Sequence, residues 1–311
     1  MVNPQVAYYH VISDRDVPHV RNLYPIRSVK QFREDLDTFL KLYRFIDLHE
    51  LLETVRTGRP LASNSFLLTF DDGFREISDV VAPILFEKGV SSVFFLNSGF
   101  LDNKGMAHHN KISLLLGRLE QLGSRTPQKQ IARILHSYGI ENPDLRSAFL
   151  SIEYGNREAV DQIAAVLEYS FNDYLATAEP YLTSEQVRTL INKGFTIGAH
   201  SVDHPLYSAL PLEEQLSQTR DCIQFLREQF SLGYGAFAFP HGDTNVSQEF
   251  FEAMFAEGDV EVSFGTRGMI NCVHPRHFHR FSMEYDSAPT KKVLGHHFAR
   301  GLFKSLAGRE L

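Results

Sequence analysis

The chain has 311 residues, 43% of them hydrophobic, which is enough for a large core in one barrel-sized domain or two smaller ones. A formal net charge of −7 excludes the basic footprint that nucleic-acid binding needs. Two distant cysteines, Cys222 and Cys272, exclude a disulfide framework and a thiolate zinc knuckle, and are expected to be inert thiols.

The first residues, "MVNPQVAYYHVISD", lack a basic region followed by an apolar one. No stretch reaches the roughly 18 uncharged apolar residues of a transmembrane segment. The expectation is a cytoplasmic chain. The basic residues Lys291, Lys292, Arg300, Lys304 and Arg309 leave a peripheral position at the inner membrane face as a variant of it.

The run "QVAYYHVI" from Gln5 predicts a strand that ends at His10, a histidine expected to be satisfied or pocket-lining. Ser28 and Gln31 have capping-box spacing and open a helix with Phe32, Leu36, Phe39 and Leu40 on its apolar face. A strand near Tyr43 to Ile46 and a short helix precede the strand "SFLLTF", which ends at Asp71 and Asp72. Arg75 to Lys88 predicts a helix stopped by Gly89, and "SVFFL" a further strand. Strand and helix alternate, so a parallel sheet or barrel is expected.

From Lys104 to about Pro180 only helical periodicity is visible, which predicts a mainly helical insertion at about 104–182 within a single catalytic domain spanning 1–311. Alternation then resumes. Helices from Ser184, Leu212 and Ser247 separate the strands "FTIGAH", "AFAFP" and "VEVSFG", and a last helix runs from about Ala288 to Leu306.

Ligands gather at the carboxyl ends of parallel strands. Here those ends carry Asp71 and Asp72, then His200, then Pro240, His241, Gly242 and Asp243. In "GAHSVDHP", three residues separate His200 from His204, so both imidazoles can face one ion if the segment turns helically. Two histidines and one carboxylate make a facial ligand set that leaves positions open for water and substrate. One acid completes the set and the other is free to take a proton from water. The competing reading makes Asp71 and Asp72 a helix N-cap and its neighbouring surface acid.

The residues Thr69-Phe70-Asp71-Asp72-Gly73 and His200-Ser201-Val202-Asp203-His204-Pro205 resemble the first two motifs of the polysaccharide deacetylases with the NodB-homology fold, carbohydrate esterase family four. "YYHVI", "YLTSEQVRTLINKGFTIGAHSVDHP" and "FGTRG" extend the resemblance over most of the chain. It implies a distorted (β/α) barrel of about seven strands, with Asp71 as general base and Asp72, His200 and His204 as metal ligands. The implied ion is divalent: zinc first, with cobalt, nickel or manganese as alternatives.

The third motif departs from the family pattern. "FAFPHG" keeps Pro240 but has Ala238 where many members place the arginine that orients the base, so that charge is expected from Arg267 or Arg280. The backbone N–H of His241 is the expected oxyanion donor, with Pro240 lining the substrate site. His109 and Lys111, in a segment similar to one branch of related sequences, are expected to line the cleft. The family's leaving-group histidine has no match; His241, His274, His277, His279, His296 and His297 are the candidates.

The expected activity is removal of an acetyl group from an N-acetylated sugar or polysaccharide precursor in surface polysaccharide or glycoconjugate biosynthesis. Hydrolysis of another non-peptide C–N bond or an O-acetyl ester, or an impaired sugar-binding relative, are the alternatives.

Overall fold

The protein is described by a computed structural model covering residues 4–270, 274–284 and 288–306; Cys272 and Arg309 lie outside the described residues. In chain order the elements are β1 (Gln5–Tyr9), α1 (Val29–Leu42), β2 (Arg44–Phe45), α2 (Leu48–Thr57), β3 (Ser65–Phe70), α3 (Ala82–Lys88) and β4 (Val93–Leu96). The helices α4 (His108–Leu122), α5 (Gln128–Ser137), α6 (Leu145–Leu150), α7 (Glu158–Val166) and α8 (Phe171–Ala178) follow. Then come α9 (Ser184–Asn192), β5 (Thr196–Ala199), α10 (Leu212–Phe230), β6 (Ala236–Ala238), α11 (Gln248–Ala256), β7 (Val262–Gly265), β8 (His277–His279), β9 (Phe281–Ser282) and α12 (Thr290–Leu306).

By contact density the chain divides into two compact units. The larger holds every strand, in the order β8-β7-β6-β5-β4-β3-β1-β9, all neighbours parallel, with β2 added beside β3. This path is a nearly closed barrel of eight parallel strands with helices around it. A single residue, Arg280, separates β8 from β9. One continuous segment therefore pairs with β7 through His277–His279 and with β1 through Phe281–Ser282, and counting it as one strand gives seven.

Strand alternation sorts the side chains into two cores. Val6, Leu67, Val93, Phe95, Ala236, Ala238, Val262, Phe264 and Phe278 form one buried cluster with residues of α2, inside the barrel. Tyr9, Phe66, Leu68, Phe70, Phe94, Ile197, Ala199 and Phe237 form the other, outside it against the helices. The interior is tight at Gly198, where a Cβ would lie 2.3 Å from Phe95 Cε1. Capping boxes at Ser28–Gln31 and Thr183–Gln186 start α1 and α9. The segment from Arg75 differs from its expected uniform helix: a π-helical turn, Ile77–Val81, precedes α3.

The second unit comprises residues 15–25 and 103–180 and contains α4 to α8. Its non-contiguous piece is held by polar contacts to α4: Asn110 Nδ2 donates to His19 O at 2.9 Å and Ser113 Oγ to Pro18 O at 2.7 Å.

Candidate active site

β3 is buried along its whole length and ends where Asp71 N donates to Tyr9 O at 2.9 Å. Beyond it, Asp72 and Gly73 are both left-handed, with φ of 69° and 68°, and this reversal sends two consecutive carboxylates in different directions. Gly73 is required twice over: a Cβ there would also come 2.9 Å from Leu96 Cδ2.

The segment after β5 differs from the helical turn expected for it. Residues 201–204 form a loop in which Ser201 and His204 have φ of 68° and 63°. Pro205 disfavours the right-handed helical region for His204. The Asn97 amide binds the carbonyl oxygens of His200 and Ser201, and Ser201 Oγ accepts from His204 N at 3.0 Å. The loop nevertheless brings both imidazoles to Asp72.

Asp72 Oδ1 lies 3.1 Å from His204 Nε2 and 3.4 Å from His200 Nε2, and among the described residues it is buried with no hydrogen-bond partner. Three donors each about 2.0–2.2 Å from one zinc-like ion would stand about 3–3.5 Å apart, which matches these separations. His200 Nδ1 lies 2.8 Å from Ala238 O. Donation of the Nδ1 proton there leaves the Nε2 lone pair facing Asp72. Burial raises the Asp72 carboxyl, but His204, His200 and His10 outweigh it and hold the group well below the usual range. These three residues fit a divalent cation.

Asp71 belongs to a different set of contacts. Arg280 is fully buried and binds it bidentately, Nη1 to Oδ1 at 2.6 Å and Nη2 to Oδ2 at 2.8 Å. Nη1 also donates to Thr69 Oγ1 at 3.1 Å, and the guanidinium lies 4.9 Å from the Tyr8 ring centre and 5.4 Å from that of Phe95. Burial raises the Asp71 carboxyl, yet Arg280, His200 and His10 together hold it below its ordinary value. It is ionised near neutrality, with its plane set by the arginine fork.

A histidine–carboxylate pair stands beside this set. Glu284 Oε2 is 2.5 Å from His10 Nδ1, while Oε1 accepts from His10 N at 2.7 Å and from Val11 N at 3.0 Å. Burial lowers the His10 imidazole, but Glu284 and then Asp72 and Asp71 raise it to about 9. His10 is therefore cationic at neutral pH.

The polysaccharide deacetylase family model matches residues 58–253, more than half of the chain. The chain belongs to the polysaccharide deacetylase family. No curated protein sequence matches it. Among solved structures it is similar to the Streptococcus pyogenes deacetylase PplD in complex with acetate, at 14% identity and a TM-score of 0.60, covering 94% of this chain and 96% of that one. IcaB from Ammonifex degensii shares 17% identity at a TM-score of 0.57, covering 93% and 94%. The de-N-acetylase from Aggregatibacter actinomycetemcomitans shares 15% at 0.57, covering 93% and 99%. At these identities the likeness is one of fold.

The remaining expected residues of this deacetylase fall in several places. Of the two arginines, Arg280 contacts Asp71, whereas Arg267 lines a cavity with Asp243 and His277. His241 is exposed, has φ of 58°, and its ring centre is 4.6 Å from that of His204; Pro240 before it is buried. His277 and His279 gather around Asp243, His274 stacks on Phe255, and His297 is turned to Ser282 O at 3.0 Å. His109 and Lys111 lie on α4 of the second unit, where Lys111 Nζ pairs with Asp161 at 2.7 Å. Sequence reasoning missed Glu284; an acid four residues beyond Arg280 and just past a strand was its only signal.

Among the described residues no helix is long and apolar enough to cross a membrane.

Proposed function

We propose that this chain is a metal-dependent carbohydrate deacetylase that hydrolyses the acetamide of an N-acetylated sugar, as part of surface polysaccharide or glycoconjugate assembly. One observation carries the reading: two adjacent carboxylates with separate partners, Asp72 facing two imidazoles and Asp71 held by an arginine. A base beside a cation site suits metal-assisted hydrolysis of an amide. The family membership agrees with it, as do the deacetylase and de-N-acetylase activities by which the structural neighbours are named.

A divalent ion held by Asp72, His200 and His204 would supply Lewis acidity toward the acetyl carbonyl and lower the pKa of the attacking water. Asp71, ionised and oriented by Arg280, accepts that water's proton. The His241 backbone N–H donates to the developing oxyanion. His10, cationic through Glu284, gives a proton to the departing nitrogen as the C–N bond breaks. Acetate and a free amino sugar leave, and the one water consumed supplies the hydroxyl of the acid and the hydrogen of the amine.

Acetate release from a panel of N-acetylated sugars and oligosaccharides, measured before and after chelation, tests this. Turnover is expected to depend on added Zn2+ or Co2+, and Asp71→Asn is expected to lower kcat about 10²–10⁴-fold while metal content is unchanged. Ammonia release, or turnover confined to O-acetyl esters, would reassign the bond cleaved. Sugar binding without turnover in the metal-loaded protein would overturn the enzymatic reading.

A further inference from the structure

β8 presents its residues to two different places. Phe278 belongs to the cluster inside the barrel, and the following Arg280 also turns inward, to Asp71. By the two-residue period of a strand, His277 and His279 face the other way. There His277 packs against Phe251 of α11, with ring centres 5.0 Å apart, and against Phe239 at 5.8 Å.

Asp243, from the loop after β6, meets these two histidines. Its Oδ2 lies 3.4 Å from His277 Nε2 and 3.8 Å from His279 Nδ1, and all three residues are buried. A hydrogen bond between imidazole and carboxylate would close to about 2.7–3.2 Å. These contacts stay wider: the one to His277 has the spacing that donors adopt around a shared ion, and the one to His279 is slightly longer. Among the described residues His277 Nε2 is buried without a hydrogen-bond partner, and Ser263 Oγ, 2.8 Å from Nδ1, fixes the ring. Asp243 is likewise fixed, since Oδ1 accepts from Thr266 N at 3.2 Å. The backbone leaves room for the cluster at Gly265, where a Cβ would lie 2.2 Å from Asp243 Oδ1 and 2.9 Å from His277 Nε2. Asp243, His277 and His279 also line a cavity of about 740 Å³, together with Arg267 and His274.

We propose that Asp243, His277 and His279 form a second divalent-cation site of zinc type, on the outer face of the barrel strands, with its open coordination positions toward this cavity. Two imidazoles and one carboxylate suit a borderline ion such as Zn2+ or Co2+ better than Ca2+ or Mg2+, which take oxygen ligands. Its donor set repeats that of Asp72, His200 and His204, yet none of its residues is shared with it, so the proposal stands apart from the deacetylase reading.

The test is metal stoichiometry by elemental analysis of the full chain, stripped with chelator, reloaded with Zn2+ and passed through a desalting column. Co2+ absorption reports coordination, and circular dichroism reports folding. Wild type is expected to retain two equivalents, Asp72→Ala one, and Asp243→Asn/His277→Gln one. Combining all three substitutions should leave none. One equivalent in wild type that disappears in Asp72→Ala overturns the second site without recourse to the other variant. One equivalent that survives Asp72→Ala but is lost in Asp243→Asn/His277→Gln upholds the second site and removes the metal from the deacetylase reading instead.

Discussion

Arg280 grips both carboxylate oxygens of Asp71 from a position 209 residues further along the chain. The pair is buried on both sides, so its charge balance controls the protonation of Asp71. Arg280→Lys keeps a cation but loses the planar fork. We expect it to raise the Asp71 pKa and move the acid limb of the kcat/KM profile to higher pH; a limb displaced by about one pH unit lowers activity about tenfold at a fixed pH on it. The sign follows from the depressed native value: the arginine's contribution is present above the ordinary carboxylate pKa and is lost as pH falls through the folded one. Initial rates from pH 4 to 8 provide the check, and an acid limb that stays in place would separate Arg280 from the base.

Glu284→Gln retains an oxygen for the His10 and Val11 amides but removes the charge beside the imidazole. With its raised pKa of about 9, His10 contributes stability that is complete below its unfolded value of about 6.5 and disappears as pH rises through 9. The variant should therefore be less stable than wild type at pH 6 and converge on it above pH 9. NMR titration of His10 should show a lowered pKa, and the alkaline limb of activity should move down with it.

Burial lifts the Cys222 thiol to about 11, and its Sγ sits 3.4 Å from Leu96 O. At pH 8 the native protein should leave Cys222 unmodified by iodoacetamide over hours, while denatured protein is alkylated in minutes. Peptide mass mapping distinguishes the two.

Asp35 is buried and accepts from Tyr9 Oη at 2.9 Å, from Arg27 Nη2 at 2.7 Å and from Thr290 Oγ1 at 2.5 Å, tying α1 to the start of α12. Asp35→Ala removes the carboxylate that Arg27, Tyr9 and Thr290 all bind in a buried setting, so a loss of about 3–5 kcal/mol is expected. Differential scanning calorimetry should show Tm lowered by on the order of 10 °C, and a change below 2 °C would mean that water enters and solvates the arginine.

That Asp71, Asp72, His200 and His204 come together could be expected from the sequence because two apolar strands end at Asp71 and His200, and Asp72 and His204 follow within a few residues. Arg280 and Arg267 could not be separated that way. The choice depends on where each falls relative to the late strands: Arg267 lies in the loop past β7, whereas Arg280 sits between β8 and β9, where the barrel interior stacks it on Tyr8 and Phe95. The helical turn expected at His200 gave way to a loop because Pro205 and the Asn97 amide impose local backbone demands that residue spacing does not report. Strand–helix alternation was sufficient for the barrel. It could not show that residues 15–25 join the helical unit, since that attachment runs through single polar contacts such as Asn110 to His19 and has no period.

The segment from His277 to Ser282 pairs with β7 on one side and β1 on the other, and carries Arg280 at the crossover. The segment that closes the ring is thus also the one that delivers the guanidinium to Asp71. A chain without this segment would keep the charge of His200 beside Asp71 but lack the arginine fork. The residues proposed to hold the ion all precede β8, whereas the guanidinium that orients the proposed base comes with the segment that closes the barrel.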